Sequence, residues 1–149
     1  MLNLGDKVEE FEGFNQDGRK VKLSDYLDKN LILFFYPKAS TPGCTLEACN
    51  LSEHFEDFQK KGYNVLGVSA DSVERQKKFK EKFNLSYDLI ADVDKKIIDQ
   101  FGVFGEKQFM GKTHMGIYRT TFVISKQSVI TQRIDKVKTK EHHSQIQIE

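Results

Sequence analysis

The chain has 149 residues, 38% hydrophobic and 11% aromatic, with twelve Phe and no Trp, which suits one ordinary domain over residues 1–149 with a phenylalanine-rich core. Its 23 Lys and Arg against 22 Asp and Glu leave a formal charge of +1, so electrostatics gives no reason to expect nucleic acid or an anionic membrane as a partner. No apolar run approaches the length of a membrane span, and the first six residues lack the basic and apolar regions of a signal peptide, so a cytoplasmic location is expected.

Residues 11–23 read as a hairpin, with Asn15-Gln16-Asp17-Gly18 as its turn, and Ser24 as the cap of a short helical turn. Leu31-Ile32-Leu33-Phe34-Phe35-Tyr36 reads as a buried strand bounded by Pro37. Thr41 is then a good N-cap, with Pro42 at the first helical position, where its missing N–H costs nothing. Cys44, Ala48, Leu51, Phe55 and Phe58 recur at steps of four and three, so they share one face of a helix that runs to about Lys61 and stops at Gly62. A strand over 63–70 follows. Asp71-Ser72-Val73-Glu74 resembles a capping box opening a helix to about Phe83. Residues 89–91 read as a short strand and 95–101 as a helix, whereas the Gly-rich stretch 105–116 reads as loop. Strands over 118–124 and 129–134 come next, and Thr139 caps a final helix. This alternation predicts an α/β sandwich with a mixed sheet; on periodicity alone, thioredoxin-like and flavodoxin-like versions are not separated.

The only two cysteines lie in Thr41-Pro42-Gly43-Cys44-Thr45-Leu46-Glu47-Ala48-Cys49. In an intracellular chain this favours redox or metal chemistry over a structural disulfide. Free cysteines are commonly small buried hydrophobes. Here, however, Cys44 sits in the first turn of a helix just past the end of a central strand, where open α/β sheets bind ligands and the helix dipole favours a thiolate. An ordinary thiol with a pKa near ~8.5 is only a few per cent thiolate at neutral pH, so a nearby cation is the natural complement. Of Arg19, Arg75, Arg119 and Arg133, the first two fall on solvated elements. Strand alternation puts Arg119 on one face with Ile117, Thr121 and Val123, where a guanidinium needs a partner.

Pro37-Lys38-Ala39-Ser40-Thr41-Pro42-Gly43-Cys44 fits the P-x-x-x-T-x-x-C active-site motif, and the chain resembles the peroxiredoxins. The continuation to Cys49 looks like the bacterioferritin-comigratory-protein (Q-type) subfamily, in which a resolving cysteine can lie five residues after the peroxidatic one. The resemblance extends to Leu4-Gly5-Asp6, Leu23-Ser24-Asp25-Tyr26, Gly67-Val68-Ser69-Ala70-Asp71-Ser72 and Gly116-Ile117-Tyr118-Arg119-Thr120-Thr121-Phe122. It departs at Glu9, which replaces a proline, and at Phe104, which replaces a tryptophan. It implies a thioredoxin-like fold, a central mixed sheet flanked by helices, with an N-terminal hairpin. It also implies a thiol-specific peroxidase of antioxidant defence, acting on hydrogen peroxide and organic hydroperoxides, often monomeric and without a cofactor. By the same resemblance Cys44 attacks the peroxide, Thr41 helps hold it, Arg119 polarises the O–O bond and steadies the thiolate, and Pro37 shields the site. The sulfenic acid on Cys44 then condenses with Cys49, and thioredoxin or a similar dithiol reduces the disulfide.

Other chemistries fit less well. A metal centre would need His54, His114, His142 or His143, yet His54 lies five residues past Cys49, matching no common zinc spacing, and His142-His143 reads as a solvated pair on a surface helix. Cys-x-x-Cys is absent, and a cysteine-dependent phosphatase would need an arginine where Asn50 stands. A non-enzymatic interaction domain leaves the placement of Thr41, Cys44 and Arg119 unexplained.

Overall fold

The computed structural model describes residues 1–148. A short antiparallel hairpin, β1 (Glu12–Phe14) and β2 (Lys20–Lys22), leads into a 3-10 turn at Leu23–Tyr26. The chain continues through β3 (Asn30–Phe35), α1 (Pro42–Glu53), α2 (Phe55–Lys60), β4 (Tyr63–Ser69), α3 (Val73–Phe83), β5 (Asp88–Ala91) and α4 (Lys96–Phe101). It ends with β6 (Phe104–Phe109), β7 (Lys112–Ile117), β8 (Thr120–Ile124), β9 (Ile130–Ile134) and a 3-10 turn at His142–Gln145. The central sheet has the order β5-β4-β3-β8-β9, with β3, β4 and β5 parallel and β8 antiparallel to both β3 and β9. The expected mixed sheet with flanking helices and an N-terminal hairpin is therefore what the chain forms.

β3 is the middle strand, covered on both faces, which is why it is continuously apolar rather than alternating. Leu31, Leu33 and Phe35 join one core with Phe101 and Phe122, whose rings pack 5.0–5.9 Å apart around Phe35. Ile32, Phe34 and Tyr36 join the other with Cys44, Ala48, Leu51, Phe58 and Phe79. At about 1.5–3 kcal/mol for each large side chain removed from water, these two layers fix where the C-terminal end of β3 stands.

Several expected features differ. The helix after Cys44 is broken at His54, whose Nδ1 donates to the Asn50 carbonyl at 2.9 Å and displaces the main-chain bond that would have continued it. The His54 amide instead makes a tighter bond to Leu51 O at 3.2 Å, and Phe55 turns out only partly buried. Ser24 does not cap its turn: its hydroxyl goes to Glu10 at 2.6 Å, and Asp25 accepts the Lys22 N–H at 2.8 Å. At the next helix Ser72, rather than a full capping box, accepts the Arg75 N–H at 3.2 Å. The stretch read as loop is the β6–β7 hairpin, paired from Phe104↔Ile117 to Phe109↔Lys112. Met110 (φ 52°) and Gly111 (φ 78°) form its turn, and both positive φ angles are what a two-residue hairpin of this twist demands. Its exposed β7 residues hid the strand, because neither face carries a clean apolar alternation. Thr139 caps no helix; the last turn is the single 3-10 turn with Glu141 at its cap position.

In β4, a Cβ added at Gly67 would lie 2.8 Å from both Leu89 Cδ2 and Phe34 Cζ, in fully buried packing that has no room to shift. Gly67→Ala is expected to cost about 1–3 kcal/mol by overpacking. A lowered urea midpoint at unchanged m-value reads this; an unchanged midpoint would contradict it.

Candidate active site

The end of β3 delivers the chain into a tight loop over α1. Tyr36 still bonds Val68 O through its N–H at 3.1 Å, and its hydroxyl donates to Gln76. Ala39 N–H is held by buried Asp71 at 2.8 Å, which also takes the Ser69 hydroxyl at 2.7 Å. Ser40 adopts φ 64°, a left-handed conformation that costs a non-Gly residue and is imposed here by these anchors. Half-buried Pro37 opens the loop, which ends at Thr41, in the extended N-cap conformation. The Thr41 hydroxyl does not cap the helix but donates to Lys38 O at 2.8 Å. Pro42 occupies the first helical position as expected.

The first main-chain bond of α1 runs from Thr45 N–H to Thr41 O, so the earlier amides carry the positive end of the helix. Cys44 lies in this first turn, 1% exposed. Arg119 reaches it from the segment joining β7 to β8, not from within a strand as alternation implied. Gly43 admits this approach, since a Cβ there would be 3.1 Å from Arg119 Nη2. Burial works against the Arg119 charge, but the Cys44 sulfur and the Glu47 carboxylate more than offset it and raise the guanidinium above its ordinary value.

Glu47, one turn after Cys44 and 0% exposed, accepts from Arg119 Nη1 at 3.0 Å. Burial pushes its carboxyl up to about 7 against the pull of Arg119. Its other oxygen, Oε2, has no hydrogen-bond partner and lies 3.5 Å from His142 Nε2. His142, expected in solvent, is fully buried, bonded to Thr121 at 2.7 Å and Gln145 at 2.8 Å. Burial lowers its basicity, and Arg119 and His143 add to that. Lys107 enters from β6 and donates to Ile117 O at 3.0 Å; burial and Arg119 push its ammonium down, while Cys44 pulls it up.

Thr41, Cys44 and Arg119 are thus brought together. Cys49 sits half-buried further along the same unbroken α1, and both thiols are free. Burial raises the Cys49 thiol, with Glu53 adding to it. The neighbouring Asn50 ties α1 to the chain end, donating to Lys140 O at 3.2 Å and accepting from His143 N–H at 2.8 Å. His143 in turn stacks on His54 with ring centroids 3.6 Å apart. Sequence reasoning missed Glu47, Lys107 and His142. Glu47 was within reach, because its spacing of three from Cys44 puts it on the sulfur's side of the helix. Nothing in the isolated His142-His143 pair signals burial of one and not the other.

The model of the AhpC/TSA family matches residues 4–133. Peroxiredoxin Bcp of Escherichia coli K12 is 43% identical over 142 residues, 95% of this chain and 91% of that protein. Peroxidoxin BcpB of Mycobacterium tuberculosis has a crystal structure similar to this one, with a TM-score of 0.87 at 35% identity, covering 97% of this chain and 94% of that one. A bacterioferritin comigratory protein of Xanthomonas campestris, whose structures address its alkyl peroxide reduction activity, superposes with a TM-score of 0.84 at 33% identity, over 91% of this chain and 86% of that one.

Glu47 titrates near 7 in the folded chain against an ordinary 4.5. Between those values the folded state keeps a proton that the unfolded state has lost, so this group's contribution to stability falls as pH rises and levels off above about 7. Urea midpoints of wild type and Glu47→Gln across that window isolate the effect, since groups away from Glu47 cancel in the difference. Wild type should lose ground to the variant as pH rises; a constant difference would contradict the assignment.

Proposed function

For a chain that belongs to the AhpC/TSA family and acts as a thiol peroxidase on a peroxide substrate with a thiol reductant, we propose that Cys44 is the attacking thiolate and Cys49 its resolving partner within the same domain. The observation that carries this is the convergence on one buried sulfur of a helix N-terminus and a paired guanidinium. Such fixed charge, in a site with little water, is usually the largest catalytic contribution.

The Cys44 thiolate attacks the terminal oxygen of the hydroperoxide and breaks the O–O bond, giving Cys44 sulfenic acid and an alkoxide or hydroxide, which takes a proton to leave as alcohol or water. Arg119 stabilises both the thiolate and the charge growing on the leaving oxygen. The Thr41 hydroxyl, which donates to Lys38 O here, turns to hold the substrate in this reading, and Pro37 limits water at the sulfur. The Cys49 thiol then displaces the hydroxyl of the sulfenic acid, forming the disulfide and water, and an external dithiol, thioredoxin in our reading, returns both thiols. Small and organic hydroperoxides both suit this chemistry, and alkyl peroxides are the class named for the Xanthomonas protein. We read the protein as a cytoplasmic monomer with a role in antioxidant defence; among the described residues no helix is long and apolar enough to cross a membrane.

Cys44→Ser should abolish peroxide consumption coupled to thioredoxin and its reductase. Cys49→Ser should still allow one oxidation, leaving a sulfenic acid that mass spectrometry detects. Arg119→Met should slow the peroxide step by about 10²–10³ with the fold retained. Wild-type turnover by Cys44→Ser would overturn the assignment.

Resolution also requires α1 to open. Residues five apart in a helix have Cα atoms roughly 8.7 Å apart, whereas a disulfide needs about 4.4–6.8 Å. The break at His54 gives the melting a natural end, since α2 is a separate element anchored by buried Phe58. Amide hydrogen exchange across residues 44–50 should lose protection on oxidation while amides near Phe58 keep theirs. Equal protection in reduced protein and in protein carrying the disulfide would sink the idea.

A further inference from the structure

The free oxygen of Glu47 points to a role for the chain's end. A buried carboxylate oxygen without a donor is costly, and Oε2 of Glu47 faces Nε2 of the equally buried His142 at 3.5 Å. Which atom holds a proton follows from the surroundings. The Lys138 backbone N–H donates to Gln145 Oε1 at 2.8 Å, and Gln145 Nε2 donates to Lys136 O at 2.8 Å, so two main-chain groups with fixed roles orient that amide. Gln145 Oε1 can only accept, hence His142 Nδ1, 2.8 Å away, carries a hydrogen. In the neutral ring Nε2 is then a bare acceptor, and the Thr121 hydroxyl donates to it at 2.7 Å. Bare Nε2 and carboxylate Oε2 are two lone-pair atoms confronting one another. One additional proton converts that confrontation into attraction.

We propose that Glu47 and His142 share one titratable proton, and that His142 thereby acts as a positioning residue for Arg119 in the peroxide step. With the proton in place, Glu47 holds Arg119 less tightly and the guanidinium charge serves the Cys44 sulfur and the peroxide. Without it, the carboxylate competes for Arg119. The other groups facing the pair leave this arrangement intact. Arg119 and His143 both disfavour an imidazolium. The Tyr87 hydroxyl is spent on Ala48 O at 2.7 Å, Lys107 is directed at Ile117 O at 3.0 Å, and Lys140 and Glu141 are exposed. The proton therefore resides on Glu47 Oε2, facing Nε2, whose single lone pair takes either this hydrogen or that of the Thr121 hydroxyl.

The inference rests on Arg119 serving Cys44, and the experiment keeps the two apart. Long-range proton–nitrogen NMR on the reduced chain, without peroxide, should show His142 as the Nδ1–H tautomer, with its Nε2 resonance shifting as a neighbouring group titrates near neutrality. An Nε2–H tautomer, or no shift between roughly pH 5 and 9, would overturn the proposal, and neither result depends on turnover or on a variant folding. His142→Gln keeps a polar atom near Nε2 but does not titrate. In single-turnover oxidation of Cys44 it should be roughly tenfold slower at pH 7 and should displace the limb of the pH–rate profile that the shared proton gives wild type. A profile parallel to wild type, at whatever absolute rate, would also overturn it. Failure of the Cys44→Ser test would instead remove the peroxidatic assignment and leave the tautomer result standing.

Discussion

The contact between Arg119 and Glu47 is the interaction on which the site depends. A guanidinium close to a buried sulfur and a carboxyl group with no exposed surface are each expensive to take out of water, and each offsets part of the other's cost. The hydrogen bond between them lets sheet and helix enclose both. The pair links the first turns of α1 to the segment entering β8, beside the Cys44 sulfur. Removing Arg119 takes the donor from a buried carboxyl, and removing Glu47 takes the acceptor from the guanidinium.

A second constraint comes from geometry. One helix holds both sulfurs, Cys44 and Cys49, and an intact helix keeps them too far apart to bond. The regular α1 that aligns Cys44 with the positive helix end is the same structure that the proposed bond between Cys44 and Cys49 would disrupt. Stability in these two turns therefore sets a balance: too much slows resolution, too little blurs the alignment of Cys44 with Arg119. The helix is built accordingly. Cys44, Ala48 and Leu51 anchor one side in the core, Leu46 is exposed, and the break at His54 isolates the segment from α2.

The fold was legible where burial and punctuation agree. β3 announced itself through an unbroken apolar run, and Thr41-Pro42 marked the helix start within a residue. The β6–β7 hairpin was not legible, because its two strands pair with each other away from the central sheet and carry no apolar rhythm. The break at His54 depends on a side chain competing with the main chain, a choice that composition does not reveal. At the site, the P-x-x-x-T-x-x-C spacing pointed to Cys44 and Thr41, and the lone arginine among apolar neighbours pointed to Arg119. The partner of Arg119 was overlooked because a glutamate in a helix is ordinarily solvated, and His142 because its burial is decided by residues more than twenty positions away.

Asn50 has a consequence beyond its own hydrogen bonds. It stands next to Cys49 and fastens α1 to residues 140 and 143, ninety positions further along the chain. Unwinding α1 through this position must release those bonds, so the covalent event at the sulfurs and the seating of the carboxyl-terminal end draw on one set of contacts. If the proposed disulfide forms, a change at residues 140–143 alters the barrier to it although nothing has been altered at the thiols themselves.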